Sequence, residues 1–558
     1  MTSLSDPPGA PGLAPSGHVD TFCRDSLPPR ELWPELRFDR IPELAAYPAR
    51  LNCAAELLDR VVARGDGART VFRCRDGDWT YAELARTVNR LARVLVEDLG
   101  LVPGNRVLLR GYNSPMLAAC WFAVLKAGGV VVTTMPLLRA RELTFTADKA
   151  HIALALCDAR LAAECSEAMA TTAAGRPRKG AHVVLWNDGG SADGLEALMA
   201  GKPDTFDACD TAADDVALIA FTSGTTGQGK GTMHFHRDVL AICDCFPPYV
   251  LQAEPDDVFI GSPPFAFTFG LGGILLFPMR IGAATVLLEQ ASPPHLVKAI
   301  EEFRATVCFT APTAYRAMLA LLPQHDLSSL RKCVSAGETL PQPTFEAWER
   351  ATGVRIIDGI GSTEMLHIFI SASGAAIRPG ATGTVVPGYE AMVVDEQMRP
   401  VPDGTIGRLA VRGPTGCRYL HNVERQRAYV HEGWNLTGDS YVRDADGYFW
   451  YQARTDDMII SAGNNISGPE VESVLLEHPA VQECGVVGVP DEERGQIVKA
   501  FVVVKADATA GHELAKELQD FVKRVIAPYK YPRRIQFVEQ LPRTATGKLQ
   551  RYRLRELG

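Results

Sequence analysis

The chain has 558 residues, 46% hydrophobic and 22% charged, with a formal net charge of −9. At about 100 to 200 residues per domain this length supports two to four domains with large cores and excludes a short binding module. Its 49 glycines and 37 prolines fall far short of collagen or low-complexity disorder, and so mild a charge imbalance singles out neither nucleic acid nor an anionic membrane.

The opening segment, MTSLSDPPGAPGLAPSG, has neither the basic start nor the apolar stretch of a signal peptide, and its prolines and glycines predict a frayed arm. Residues 80–99 read as a helix, because Thr80 and Glu83 form a capping box, Leu84, Val88, Leu91 and Leu95 repeat at helical spacing, and Gly100 stops it. A strand at Arg106 to Arg110, a helix capped by Ser114 with Pro115 in its first turn, and a β-branched strand at Val130 to Thr134 make a βαβ unit. The apolar stretch at 116–134 is no membrane span, being broken by Lys126, Gly128 and Gly129. Strands at Ile152 to Cys157, Val216 to Phe221 and Val307 to Phe309 continue the alternation, which predicts a large α/β region with mainly parallel sheets.

After about residue 385 short strands with turn signals (EAMVVDE, PDGTIG, GRLAVRG) predict a β-rich subdomain. Beyond Arg454 the order becomes helix (469–477), strand (Cys484 to Val489), strand (Val498 to Lys505), helix (512–525) and strand (Ile535 to Val538), a small α+β unit with its boundary at 454–457. Residues 523–558 hold ten Lys/Arg against two Glu, a basic end that can meet phosphates or simply be solvated. Thirteen cysteines occur without a C-x-x-C, and Cys243 and Cys245 lack the further ligands of a zinc site, so reduced thiols and a cytoplasmic location are expected.

The segment TSGTTGQGKG, Thr222 to Gly231, follows a buried strand and sets four glycines and four hydroxyls around Lys230. Such a loop can wrap a polyphosphate: glycines let backbone N–H groups approach, hydroxyls add donors and the lysine adds a point charge. It is not a Walker A loop, because Gly231 stands where a Ser or Thr would ligate magnesium.

This segment resembles the phosphate loop of the adenylate-forming superfamily of acyl-CoA synthetases, adenylation domains and luciferases. Further segments agree in order: Ser335 to Glu338 (SAGE) resembles its adenine-wall motif, Asp358 to Glu364 (DGIGSTE) its adenine and magnesium motif, Thr437 to Asp439 (TGD) its ribose motif, Arg454 to Asp457 its hinge, and Pro542 to Lys548 (PRTATGK) its C-terminal lysine motif. The resemblance covers roughly residues 50–558, and GIGSTEMLHIF, APYKYPR and LPRTATGKLQRYRLRE are most similar to benzoate-CoA ligases and 2-aminobenzoate-CoA ligases.

The resemblance implies an N-terminal extension (1–50), a large α/β domain with a β-rich subdomain (51–454), and a small mobile α+β C-terminal domain (455–558) turning on a hinge near Asp456. It implies ATP, Mg²⁺ and coenzyme A as co-substrates and cofactor. Lys548, Glu364, Thr225 and Lys230 would be catalytic, with Glu364 also reaching the metal. Thr222, Ser223, Gly224, Thr226, Gly227, Gly337, Glu338, Asp358, Gly359, Ile360, Thr363, Asp439 and Arg454 would bind nucleotide. Phe267, Thr268, Phe269, Gly361 and His367 would line the acyl pocket, and Ala462 and Gly463 would pass the pantetheine arm. Four departures stand out: Gly229 replaces the usual proline, Ile360 an adenine-stacking aromatic, Ala462 a frequent serine, and Thr268-Phe269 the Ala-Tyr pair of benzoate ligases.

The expected function is an AMP-forming aryl acid:CoA ligase for 2-aminobenzoate or a similar benzoate. The alternatives are an adenylation enzyme loading a carrier protein and a medium-chain fatty acyl-CoA synthetase; retention of Lys548, Glu364, Asp439 and Lys230 argues against a silent relative. A small aromatic acid, ATP and CoA are the expected partners, without nucleic acid or membrane, and a homodimer is compatible with the resemblance. His234 and His236 read as structural or phosphate-facing rather than as metal ligands.

Overall fold

The alternation read from the sequence becomes two layered sheets in a computed structural model that describes residues 12–222, 229–454, 457–461, 464–491, 494–543 and 548–557. The first sheet orders its strands His182–Trp186, Leu154–Asp158, Arg106–Arg110, Val130–Thr134, Val216–Thr222 and Lys230–Phe235, all parallel except the last pair. Every residue of Arg106–Arg110 is buried, as a strand covered on both faces requires.

The helix expected at 80–99 runs from Tyr81 to Arg93 and widens through Val94–Asp98, with the Thr80–Glu83 capping box formed. Ser114 caps Pro115–Lys126, a helix so apolar that Leu117 to Lys126 are all buried. Lys126 tolerates this because its ammonium donates to Asp59 at 2.7 Å and to Asn89 at 2.6 Å. These helices join one core with a second, nine-stranded sheet whose middle strands, Ile356–Gly361, Lys332–Ala336, Val307–Thr310, Val258–Gly261 and Ala284–Val286, are parallel.

Residues 390–454 form the β-rich part, in which the long strand Trp434–Arg443 pairs with Gly407–Arg412 and Phe449–Arg454. The C-terminal unit packs helices Gly468–Glu477 and His512–Val525 on a five-stranded sheet. Its two longest strands, Val481–Asp491 and Gly495–Val504, begin earlier than the expected ones at Cys484 to Val489 and Val498 to Lys505 because they pair with each other from Val481↔Val504 down to Asp491↔Gly495. Among the described residues no helix is long and apolar enough to cross a membrane.

The frayed arm is corrected from residue 12 onward. Gly17 N–H donates to Asp215 Oδ2 at 2.8 Å, Ser16 Oγ to Asp215 Oδ1, and Arg24 pairs with Asp214 and Asp215. Asp215 is 1% exposed and needs these partners, a demand that Pro and Gly content cannot register. Trp33 then packs on Phe235, and Arg37 N–H donates to Gly413 O.

Candidate functional site

Parallel strands Lys332–Ala336 and Ile356–Gly361 place Ser335 opposite Asp358 and Ala336 opposite Gly359, so the two glycine-rich motifs meet at the carboxyl edge of the sheet, where α/β folds bind ligands. Gly337 follows at φ +91°, a left-handed turn that suits glycine. Gly359 has no room for a side chain, since a Cβ would stand 2.8 Å from Ile368 Cγ2. Ile360 is half-buried at the strand end. Burial pushes the Asp358 carboxyl up to about 8 against the lowering effect of the Ser335 hydroxyl.

Beyond Gly361 the chain turns through Leu366 at φ +69° and returns antiparallel as Ile368–Ser371. Glu364 rides this turn, and its Oε1 accepts a hydrogen bond from Tyr419 Oη at 2.6 Å. The preceding Thr363 carbonyl accepts from His234 Nε2 at 2.8 Å. His234 is fully buried with its pKa lowered to about 3 by desolvation, so it is a neutral brace for the Glu364 turn.

Tyr419 was not legible as a functional residue: no motif contains it. Its place follows from pairing, since Leu420 N–H donates to Gly231 O and Met233 N–H to Arg418 O, which lays residues 418–420 along the strand that begins at Lys230.

Asp439 lies opposite Arg454 in the register of Trp434–Arg443 and Phe449–Arg454, and Arg454 Nη1 donates to Asp439 Oδ1 at 3.2 Å. Burial raises the Asp439 pKa while Arg454 opposes the rise.

Lys548 comes from the far end of the chain to the same place: a Cβ on Gly337 would be 3.6 Å from Lys548 Cε and 3.9 Å from Nζ. Burial lowers the Lys548 pKa and Glu338 resists, with Arg454, Asp439 and Glu364 contributing to the same field. Arg543 fastens this segment, donating to Glu338 at 3.5 Å and to Glu483 at 3.0 Å.

Lys230, opposite Thr222 in register, is lowered by burial and then by Arg425. Ser223, Gly224, Thr225, Thr226, Gly227, Asp456, Ala462 and Gly463 lie outside the described residues.

The donor set fits a magnesium ion. That ion needs only one or two carboxylates, keeps waters and takes phosphate oxygens. Glu364 supplies a half-buried carboxylate with one oxygen committed to Tyr419, and among the described residues no group of three or more His, Cys, Asp or Glu forms a closed protein cage for a metal.

The acyl segment is less regular. Phe267 caps the short helix Thr268–Leu271 and is half-buried. Phe269 faces Phe309 at 5.6 Å and His367 at 5.8 Å between ring centroids, and Phe277 and Phe246 close round His367 at 4.5 and 5.7 Å. Gly272 makes this possible, because a Cβ there would meet His367 Cδ2 at 2.4 Å. Neither nitrogen of His367 makes a well-formed hydrogen bond to a described residue, the Phe269 backbone being the polar group close by. Thr268 lines a cavity of ≈ 10 Å³ with Trp121, Thr133 and Phe265. Asn113 pins the loop, donating to Pro263 O and accepting from Phe265 N–H.

Three buried histidines make the fold sensitive to acid. Desolvation lowers His234, His236 and His367 from 6.5 to about 3, so the unfolded chain takes up protons that the folded chain refuses. The contribution of these histidines is therefore full above about 6.5 and is lost as pH drops toward 3, by about 1.4 kcal/mol per pH unit for each. Urea midpoints at pH 7.5 and pH 5 check this; equal midpoints would show that the imidazoles are protonated in the fold.

Comparison with known proteins gives the family of the chain. A family model for AMP-binding enzymes matches residues 58–419, and one for their C-terminal domain matches residues 470–548. The chain is 36% identical over 521 residues to a benzoate–CoA ligase of Thauera aromatica, spanning 92% of this chain and 97% of that one. The structure of the anthranilate CoA ligase AuaEII in complex with anthranoyl-AMP matches with a TM-score of 0.87 and 36% identity, over 92% of this chain and 98% of that one. A benzoate CoA ligase from Burkholderia xenovorans LB400 matches with a TM-score of 0.82 and 34% identity, over 90% and 100% of the two chains.

Proposed function

This chain belongs to the AMP-binding enzyme family, and from that premise we propose that it is an AMP-forming aryl acid–CoA ligase acting on 2-aminobenzoate or a similar ortho-substituted benzoate. Its co-substrates are ATP and coenzyme A, with Mg²⁺. A carboxylate is a poor electrophile, so its oxygen first attacks the α-phosphorus of ATP; the bond to the bridging oxygen of the β-phosphate breaks and pyrophosphate leaves with the electron pair. The thiol of CoA then adds to the acyl carbon of the acyl-adenylate, gives up its proton, and AMP leaves with the pair from the acyl–oxygen bond.

Each residue has a part that its surroundings suit. Lys548 stands between the two anions that must meet, in a desolvated place where a charge acts strongly. Asp439 accepts from the ribose hydroxyls, as an acceptor-only carboxylate does for a diol. Gly337, Gly359 and Ile360 form an apolar, side-chain-poor slot for adenine. Glu364 would hold Mg²⁺, and the ion would neutralise phosphate charge there. Thr222, Lys230 and the loop between them take the phosphates.

The aryl reading rests on the aromatic surround of the neutral His367. Flat rings gain from such walls, whereas a long chain would need an open tunnel. A ring amino group beside the carboxylate could pair with a His367 nitrogen or the Thr268 hydroxyl, and the structural likeness to the anthranilate ligase supports that substituent.

Pyrophosphate release measured over benzoates and short fatty acids, with and without CoA, tests the reading. We expect 2-aminobenzoate to lead and benzoate to follow. Octanoate outperforming every benzoate, or covalent loading of a carrier protein with little CoA turnover, would overturn it. His367→Leu and Thr268→Ala should each cost 2-aminobenzoate more kcat/KM than benzoate, shifting the preference by about 1–3 kcal/mol. Equal losses on both acids would reject the pocket assignment.

A further inference from the structure

Segment 415–419 holds the turn that carries Glu364 from two sides. Thr415 Oγ1 donates to Met365 O at 2.7 Å, and Tyr419 Oη donates to Glu364 Oε1 at 2.6 Å. What fixes this segment is the side chain of Gln426, which projects from the helix Val423–Tyr429 and is fully buried. Its Oε1 accepts from Tyr419 N–H at 2.9 Å, and its Nε2 donates to Cys417 O and to Leu32 O, each at 2.9 Å. One amide thus serves three buried backbone groups, and both of its N–H bonds are spent. Leu32 belongs to the N-terminal segment, which presses on the same stretch. A Cβ on Gly416 would stand 2.5 Å from Pro34 Cγ, and the Arg418 guanidinium lies 5.9 Å from the Trp33 ring and 3.9 Å from the Phe235 ring. Three residues beyond Gln426, the Tyr429 ring meets the Tyr419 ring edge-on at 5.8 Å.

We infer that Gln426 is a positioning residue for Glu364: by tying Tyr419 to the backbone of the N-terminal segment at Leu32, it sets where the Tyr419 hydroxyl meets the carboxylate. The inference rests on the proposed role of Glu364 at Mg²⁺, and it gives the docked N-terminal segment, which no motif covers, a part in metal-dependent nucleotide binding. The phenol moves with its own backbone. A displacement of about 1 Å at Tyr419 would take the O–H···O bond to Glu364 outside its useful range of about 2.5–3.0 Å. The Gln426 amide opposes that displacement at the Tyr419 N–H itself, and Leu32 O holds the amide from the other side.

Equilibrium dialysis of the full chain with ATP, without acid or CoA and with either Mg²⁺ or EDTA present, tests it. Gln426→Met keeps the volume and removes the amide. It should lower the Mg²⁺-dependent gain in ATP affinity about tenfold, the loss of one hydrogen bond to a charged group, and leave the affinity in EDTA unchanged. Tyr419→Phe should do the same, and the double variant should be no worse than Tyr419→Phe alone, since both act through one hydroxyl. Hydrogen exchange read without metal should show the Tyr419 amide opening faster in Gln426→Met. If Gln426→Met does not fold, Gln426→Asn, which draws the amide back by one methylene, should show the same Mg²⁺-specific loss. Equal weakening with Mg²⁺ and with EDTA, or losses that add in the double variant, would overturn the inference by reducing Gln426 to a packing residue. A Mg²⁺ effect that vanishes in Glu364→Gln but stays intact in Gln426→Met would overturn it too, leaving the proposed function untouched. A Mg²⁺ effect indifferent to Glu364→Gln would sink the metal role of Glu364 and this inference with it.

Discussion

Lys548→Ala should slow acyl-adenylate formation by about a hundredfold to a thousandfold while leaving thioester formation from supplied acyl-adenylate largely intact. Its ammonium reaches the site beside Gly337, where burial has already stripped much of its water and lowered its pKa. A charge fixed there offsets the repulsion between carboxylate and triphosphate only while the two approach each other. In the second half-reaction the nucleophile is a thiol and the leaving group is AMP, so that repulsion is absent. Single-turnover formation of the adenylate, set beside thioester release from synthetic acyl-adenylate and CoA, separates the two steps. Equal loss in both would refute this division, and Lys548→Arg restoring adenylation fully would show that charge matters and shape does not.

Arg418→Met should destabilise the fold by about 3–5 kcal/mol, because it leaves Asp238 buried without its partner. Both side chains are 0% exposed; Arg418 Nη2 pairs with Asp238 Oδ2, and its guanidinium lies 3.9 Å over the Phe235 ring. Burial pushes the pair toward neutrality, raising Asp238 and lowering Arg418, and their mutual attraction holds the charges in place. The pair sits one residue before Tyr419, whose hydroxyl holds Glu364, so the loss should also weaken Mg²⁺-dependent ATP binding. Urea unfolding measures the first effect and nucleotide titration the second. Arg418→Met combined with Asp238→Leu should recover most of the stability, since an apolar pair of similar volume needs no compensating charge. A single variant as stable as the parent chain would show that Asp238 is protonated and satisfied without Arg418.

Local signals fixed much of the architecture. The capping box at Thr80, the Ser114–Pro115 start and the 3.6-residue spacing in 512–525 are encoded within one turn of chain, and each forms where the sequence places it. The β-branched apolar run at Val130–Thr134 likewise dictates its own strand. Strand ends at Val481–Asp491 and Gly495–Val504 were set instead by the partner strand, because ladder hydrogen bonds continue past the apolar residues that mark a strand in sequence.

The site divides the same way. The phosphate, metal and ribose roles proposed for the glycines, hydroxyls, Lys230, Glu364, Asp439 and Lys548 rest on residue type and order, which a one-dimensional pattern can carry. What brings Lys548 over Gly337, Tyr419 onto Glu364 and His234 under Thr363 is pairing between segments far apart in the chain, and no local preference encodes it. The docking of residues 12–50 is equally tertiary: Pro and Gly content reports a flexible chain, while the buried acceptors of Asp214 and Asp215 that hold it belong to another segment. In the proposed acyl pocket the aromatic rings are legible in the sequence, but which of them face His367 was decided by helix packing and by the space left at Gly272, since side-chain direction depends on neighbours that only the folded chain assembles.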